Sequence, residues 1–212
     1  MTIKKLGHCC LLIKTDGKTV LTDPGAFSTA QNDVAGVDIV LITHEHQDHL
    51  HIDSLRKVLA NNPQAVVVAN ASVGRLLDKE NIKYQILEDG QKRQFDSLSV
   101  EGFGTIHAEI YKTLPRVQNT GFMIAGRLCY PGDAFEKPNQ QPEIIALPVA
   151  GPWMKISEAV DYALELQPKS VFPVHDAILS PASSFVHTMM TNLLGGQGIN
   201  YVKPDGEMEM EF

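Results

Sequence analysis

Residues 41–51 read LITHEHQDHLH, which sets four histidines, an aspartate and a glutamate within eight positions directly after an apolar run. Imidazole nitrogens and carboxylate oxygens are the ligand set of zinc, iron and manganese. In an extended segment, residues two apart share a side. His44, His46 and Asp48 therefore converge, and His49 turns inward as the chain bends toward a following helix. One cation cannot draw on all four groups from so tight a loop. Two adjacent cations can, with His44 and His46 on one and Asp48 and His49 on the other. Glu45 and Gln47 alternate outward, and His51 falls at the helix start in a surface or capping role.

Four protein groups do not complete two sites, so the cluster demands partners from elsewhere in the chain. Three stand at the ends of strand-like stretches: His107 after Ser97–Ile106, Asp133 after Gly132, and His175 after Ser170–Val174. With those ends facing one way, His107 completes the first site, His175 completes the second, and Asp133 bridges. Asp23, in LLIKTDGKTVLTDPG, is either a turn residue before Pro24 or an acceptor that orients the ligand loop. His187 lies in the helical stretch SSFVHTMMTNLL and reads as structural.

The elements that must position these groups alternate along the chain. Leu11–Lys14 and Thr19–Thr22 read as strands joined at Asp16-Gly17, and Val37–Thr43 as a strand buried on both faces. Ile52, Leu55, Val58 and Leu59 recur at helical spacing. Ala65–Ala69 is a further strand and Ser72–Asn81 a helix. The pattern from Tyr84 to Tyr130 is mostly strand, with a hairpin turn at Gly126-Arg127. Glu143–Val149 and Ser170–Val174 are strands around a helical stripe, Ile156 to Leu164, with Ser157 as its N-cap. The closing YVKPDGEMEMEF reads as a hairpin turning at Pro204-Asp205-Gly206, with Met208, Met210 and Phe212 on one face. The sum is a strand-rich α+β chain: two packed sheets with helices outside.

With 212 residues, 43% hydrophobic and 20% charged, the chain suits one globular domain over residues 1–212. The net charge of −7 weighs against nucleic acid as the main partner. No run of 18 apolar residues exists for a membrane span, and Cys9–Ile13 is too short for a signal-peptide core. Three cysteines, two of them adjacent, make a poor disulfide framework, so a reducing, cytoplasmic setting with buried thiols is expected. A homo-oligomer is left open.

HEHQDH, then His107, Asp133 in YPGDA and His175 in FPVHD, resemble the ligand motifs of the metallo-β-lactamase superfamily, and Asp23 matches its opening motif. GHCCLLIKTDGKTVLTDPG and ALPVAGPWMKISEAVDYALELQPKSVFPVHD resemble the opening and closing blocks of its ascorbate-6-phosphate lactonase-like branch. The resemblance implies a four-layer αββα sandwich with a binuclear site at one edge. It also implies hydrolysis supported by two divalent metal ions, zinc first and Mn2+ or Fe2+ as alternatives. In that branch His8 faces the pocket and contacts substrate. Two departures stand out: Ala134 replaces a hydroxyl residue, and Gly151-Pro152-Trp153 replaces a more glycine-rich loop.

A water acidified between two cations, with Asp48 or Asp133 taking up its proton, suits attack on a small ester-type bond. A lactone or a phosphorylated metabolite leads as the small-molecule substrate. The competing readings are a phosphodiesterase or nuclease acting on RNA or DNA, and a metal-binding regulatory protein without turnover.

Overall fold

Period-two alternation decides where each strand side chain goes, and here both faces of most strands are apolar. The computed structural model describes residues 1–183, 185–204 and 208–212. The first sheet is built from β1 (Thr2–Gly7), β2 (Cys10–Thr15), β3 (Lys18–Thr22), β4 (Ile39–Ile42), β5 (Val66–Ala69) and β6 (Gln85–Ile86). The second holds β7 (Lys92–Phe95), β8 (Leu98–Phe103), β9 (Gly121–Ile124), β10 (Leu128–Tyr130), β11 (Ile144–Pro148), β12 (Ser170–Val174) and β13 (Asn200–Tyr201). The last strand, β14 (Glu209–Glu211), returns to the first sheet beside β1.

Between the sheets, Leu11, Ile13, Ile39, Leu41, Val100, Phe122, Ile144, Ala146 and Phe172 form one buried cluster. Their strand neighbours point the other way. Val40 and Ile42 pack under α1 (Ile52–Asn61) and α2 (Ala71–Lys79) through Leu55, Val58, Val73 and Leu77. Ile145, Leu147 and Val171 pack under α3 (Ile156–Leu166) and α4 (Phe185–Gly195) through Ala159, Ala163 and Met190. The layers run helix, sheet, sheet, helix. Each fully buried Leu, Ile or Phe contributes roughly 1.5–3 kcal/mol by leaving water, so this double interior fixes the strand ends firmly.

Both sheets are mixed. β3 to β6 pair parallel, as do β10 to β13. Parallel neighbours end on the same edge, where open α/β sheets place their ligands. Asp23 follows β3, the histidine loop follows β4, Asn70 follows β5, and Asp133 and His175 follow β10 and β12.

Three sequence expectations are corrected. The closing segment is no hairpin: β13 lies in the second sheet and β14 in the first. Met208 is about half exposed while Met210 is buried, and the expected turn at Asp205-Gly206 lies outside the described residues. The N-cap of α3 is Lys155 rather than Ser157, with Lys155 N–H donating to Glu158 at 2.6 Å. β8 stops at Phe103, so His107 stands four residues past it in a long connection to β9.

Candidate metal centre

The apolar strand β4 ends at Ile42, and Thr43 fastens the chain before the ligands begin. Its N–H donates to Asp23 Oδ1 at 2.8 Å and its hydroxyl to Asp23 Oδ2 at 2.7 Å. Its carbonyl accepts from Asn70 Nδ2 at 2.8 Å and from Thr120 N at 3.0 Å. The loop then doubles back, with the N–H groups of His49 and Leu50 both donating to the His46 carbonyl. Gly25 lets a second loop pack against it: a Cβ there would lie 1.8 Å from the Asp48 carbonyl oxygen. Across the sheets, Asn119 receives the Asp133 N–H at 3.0 Å, and Gly132, at φ +66°, leaves room for that side chain.

This framework brings all seven sequence-predicted groups together in two adjoining sets. Ligand atoms of His44, His46 and His107 lie within 4.8 Å of one another, and so do those of Asp48, His49, Asp133 and His175. In the second set, Asp133 Oδ1 is 3.1 Å from His49 Nε2, and Asp133 Oδ2 is 3.0 Å from His175 Nε2. Asp48 Oδ2 stands 3.4 Å from His175 Nε2 and 3.7 Å from His49 Nε2. Asp133 also faces the first set, with Oδ2 3.4 Å from His107 Nε2 and 3.9 Å from His44 Nε2. Tetrahedral ligands at zinc distances stand about 3.4 Å from each other, and these separations bracket that value.

For His44, His49 and His107 the other ring nitrogen has a partner that fixes the tautomer, whereas His175 Nδ1 is buried without one among the described residues. His49 Nδ1 donates to Asp23 Oδ2 at 2.7 Å, and His107 Nδ1 to the Ala108 carbonyl at 2.6 Å. The Thr43 hydroxyl gives its hydrogen to Asp23, so it accepts from His44 Nδ1 at 3.0 Å. With a cation bound, each of these rings would present an unprotonated Nε2 inward, as ligand histidines do. Nε2 of His44, His49, His107 and His175, together with Asp133 Oδ1, are buried with no hydrogen-bond partner among the described residues. Five orphaned atoms at one point are expensive unless a cation takes them, so the donor set fits a divalent metal.

Without a cation, burial lowers His49 and His175, but Asp133 outweighs it and holds both above their usual range, so a cation must displace a proton there. Burial, then the neighbouring His49, pushes the His44 imidazolium well below its usual range. Burial raises the Asp133 carboxyl, but His49, His107 and His175 outweigh it and hold Asp133 well below the ordinary carboxylate range. Asp48 is likewise held down against burial, chiefly by His175 and His8.

Asp23 is the acceptor at the base of the loop: fully buried, it also takes the Tyr130 hydroxyl at 2.6 Å. His8 reaches the second set, with Nε2 3.2 Å from Asp48 Oδ2. His51 stands at the N-cap position of α1 without a side-chain bond to the helix N–H groups, its Nδ1 instead meeting Ser54 Oγ at 2.9 Å, and His187 bonds the Tyr201 hydroxyl at 2.8 Å; neither joins the centre. Glu45 bonds Ser72 and Gln47 is exposed. All three cysteines are free and buried. Thr43, Asn70 and Tyr130 were invisible to sequence reasoning, because each acts only through groups distant in the chain. Trp153 forms a wall of the site, its ring 5.9 Å from that of His107 and 5.8 Å from that of His175.

The family model described as the beta-lactamase superfamily domain matches residues 2–175. The chain is 34% identical over 186 residues to Protein Rv0786c of Mycobacterium tuberculosis, covering 85% of this chain and 86% of the relative. It is 31% identical over 117 residues to a UPF0173 metal-dependent hydrolase of Lysinibacillus sphaericus, covering 53% of this chain and 50% of that one. Among solved structures, Igni18, a metallo hydrolase from the archaeon Ignicoccus hospitalis, superposes with a TM-score of 0.75 at 20% identity over the whole of both chains.

Proposed function

The chain belongs to the β-lactamase superfamily, and on that premise we propose that it is a hydrolase working with two divalent cations, zinc first among them. His44, His46 and His107 hold one, His49, His175 and Asp48 the other, and Asp133 stands between. Bound cations of this kind acidify a water from pKa 15.7 to about 7 and polarise the bond under attack. The protein's own work is orientation and proton handling. Asp23, Thr43 and the Ala108 carbonyl keep the rings aimed, and Trp153 limits water on one side. Asp48 is 21% exposed and meets His8, His49 and His175 through Oδ2 alone, so Oδ1 is the oxygen that takes up the proton of the attacking water.

The observation that carries this reading is the set of unpartnered inward atoms on residues from both sheets. For the substrate, we favour a lactone or a phosphorylated metabolite. A cleft of about 390 Å³ lined by Lys5, His8, Asp176 and Lys203 abuts the second set through His8; Lys5 is paired with Asp176, so Lys203 is the lysine that would meet an anionic tail. The test is metal titration into the chelated protein alongside assays on lactones, thioesters and bis(p-nitrophenyl) phosphate. Turnover rising to two cations per chain is the expected result. A folded, doubly loaded protein that cleaves none of them would point to the regulatory reading instead.

A further inference from the structure

His8 belongs to neither ligand set, yet it is 2% exposed and grips the second set from two sides. Its carbonyl accepts the His175 N–H at 3.3 Å. Its Nδ1 accepts the Ala177 N–H at 3.3 Å. Its Nε2 meets Asp48 Oδ2 at 3.2 Å, and its ring centroid lies 4.2 Å from that of His175. The Ala177 N–H brings its own hydrogen, so Nδ1 offers a lone pair and the ring proton sits on Nε2, pointed at Asp48. A protonated Nε2 is a donor rather than a metal ligand. The neighbouring group of His8, Cys9, His49 and His175 is thus not a third cation site drawing on His8.

The backbone is shaped for this grip. His8 sits in the two-residue turn between β1 and β2 at φ +41°, and His175 follows β12 at φ +59°. Left-handed backbone at residues other than glycine persists only where the surroundings hold it, and it concentrates at functional sites. Two such residues in mutual contact, one from each sheet, flank the same carboxylate.

We propose that His8 is a positioning residue for the second cation: its Nε2–H fixes the Asp48 carboxylate while its carbonyl and Nδ1 fix the backbone of His175–Ala177. This rests on reading Asp48 and His175 as ligands of that cation, and it is a role distinct from the substrate contact expected for His8 from resemblance.

Two substitutions separate the side-chain contact from the turn. His8→Asn tolerates left-handed backbone and keeps an acceptor near Ala177, but is too short to reach Asp48. His8→Gln carries its amide nitrogen about as far out as Nε2 and restores a donor. Co2+ is titrated into each chelated protein by calorimetry and visible absorption, with thermal unfolding as a check on the fold. His8→Asn is expected to weaken the second Co2+ by about 10- to 100-fold with the first unchanged, and His8→Gln to recover most of the loss. Wild-type affinity for both ions in His8→Asn overturns the proposal. Equal weakening of both ions in both variants overturns it too, by showing a merely structural role. A wild type that binds one Co2+ would instead sink the two-cation reading. His8 would then be judged on that ion: loss in Asn with recovery in Gln supports the assignment, and no change ends it.

Discussion

Replacing Asp23 with asparagine keeps the shape of the side chain and removes its charge and one acceptor. In the native protein Oδ1 accepts one hydrogen bond, from the Thr43 N–H, and Oδ2 accepts three, from the Thr43 hydroxyl, Tyr130 and His49. The better orientation of the amide leaves its oxygen with the three donors and turns its NH2 toward the Thr43 N–H. One hydrogen bond to a charged group is lost, about 1.5–3 kcal/mol, and a buried N–H is left unsatisfied, about 1–3 kcal/mol. The sum is a destabilisation of about 2.5–6 kcal/mol, visible as a lower urea midpoint in chelator. The metal effect is separable. His49 loses a carboxylate partner, which costs about 10- to 100-fold in cation affinity, or about 1.4–2.7 kcal/mol. Competition against a chromophoric chelator measures it. An Asp23→Asn protein with an unfolding free energy within about 0.5 kcal/mol of wild type and unchanged cation affinity would refute the role given to Asp23.

His46→Ala is expected to lose the first cation and activity. His51→Ala should cost about 1 kcal/mol of stability and leave metal content intact, so equal metal loss by elemental analysis would show the ligands to be misassigned. Gly25→Ala drives a methyl into the Asp48 carbonyl; displaced loop backbone should lower both cation affinity and thermal stability, and unchanged values of both would contradict the packing. Burial lowers the His175 pKa, but Asp133 and Asp48 outweigh it and push it up to about 10 without a cation. A raised folded pKa stabilises fully below the ordinary value of 6.5 and loses that contribution as pH climbs toward 10. In chelator, the stability gap between wild type and His175→Gln should therefore be a few kcal/mol near pH 6 and shrink toward pH 10; a gap that widens with pH would reverse the assignment.

What the sequence disclosed tracks how local each signal is. The loop cluster is legible because four ligand groups lie within six residues of a buried strand end, and nothing apolar explains them. The layered arrangement follows from strands apolar on both faces, such as Ile39–Ile42, alternating with amphipathic helices. Register and partnership are different. The segment Glu209–Glu211 alternates well enough to pair with whatever edge is near, and the edge it meets is β1, at the far end of the chain, rather than β13. Thr43 and Tyr130 look like ordinary strand residues until Asp23 is brought against them. His107 read as a strand end because the apolar pattern runs on to Ile106, yet the ladder with β9 ends at Phe103. Lys155 takes the N-cap from Ser157 because Glu158 can reach back to its N–H.

His44, His46, Asp48 and His49 hang from one sheet, while His107, Asp133 and His175 hang from the other. The apolar interface that joins the sheets is held by non-directional contacts, whereas coordination bonds have direction. On the proposed coordination, a loaded centre would act as a clasp at one rim of the sandwich, and losing its cations would loosen that rim along with its chemistry.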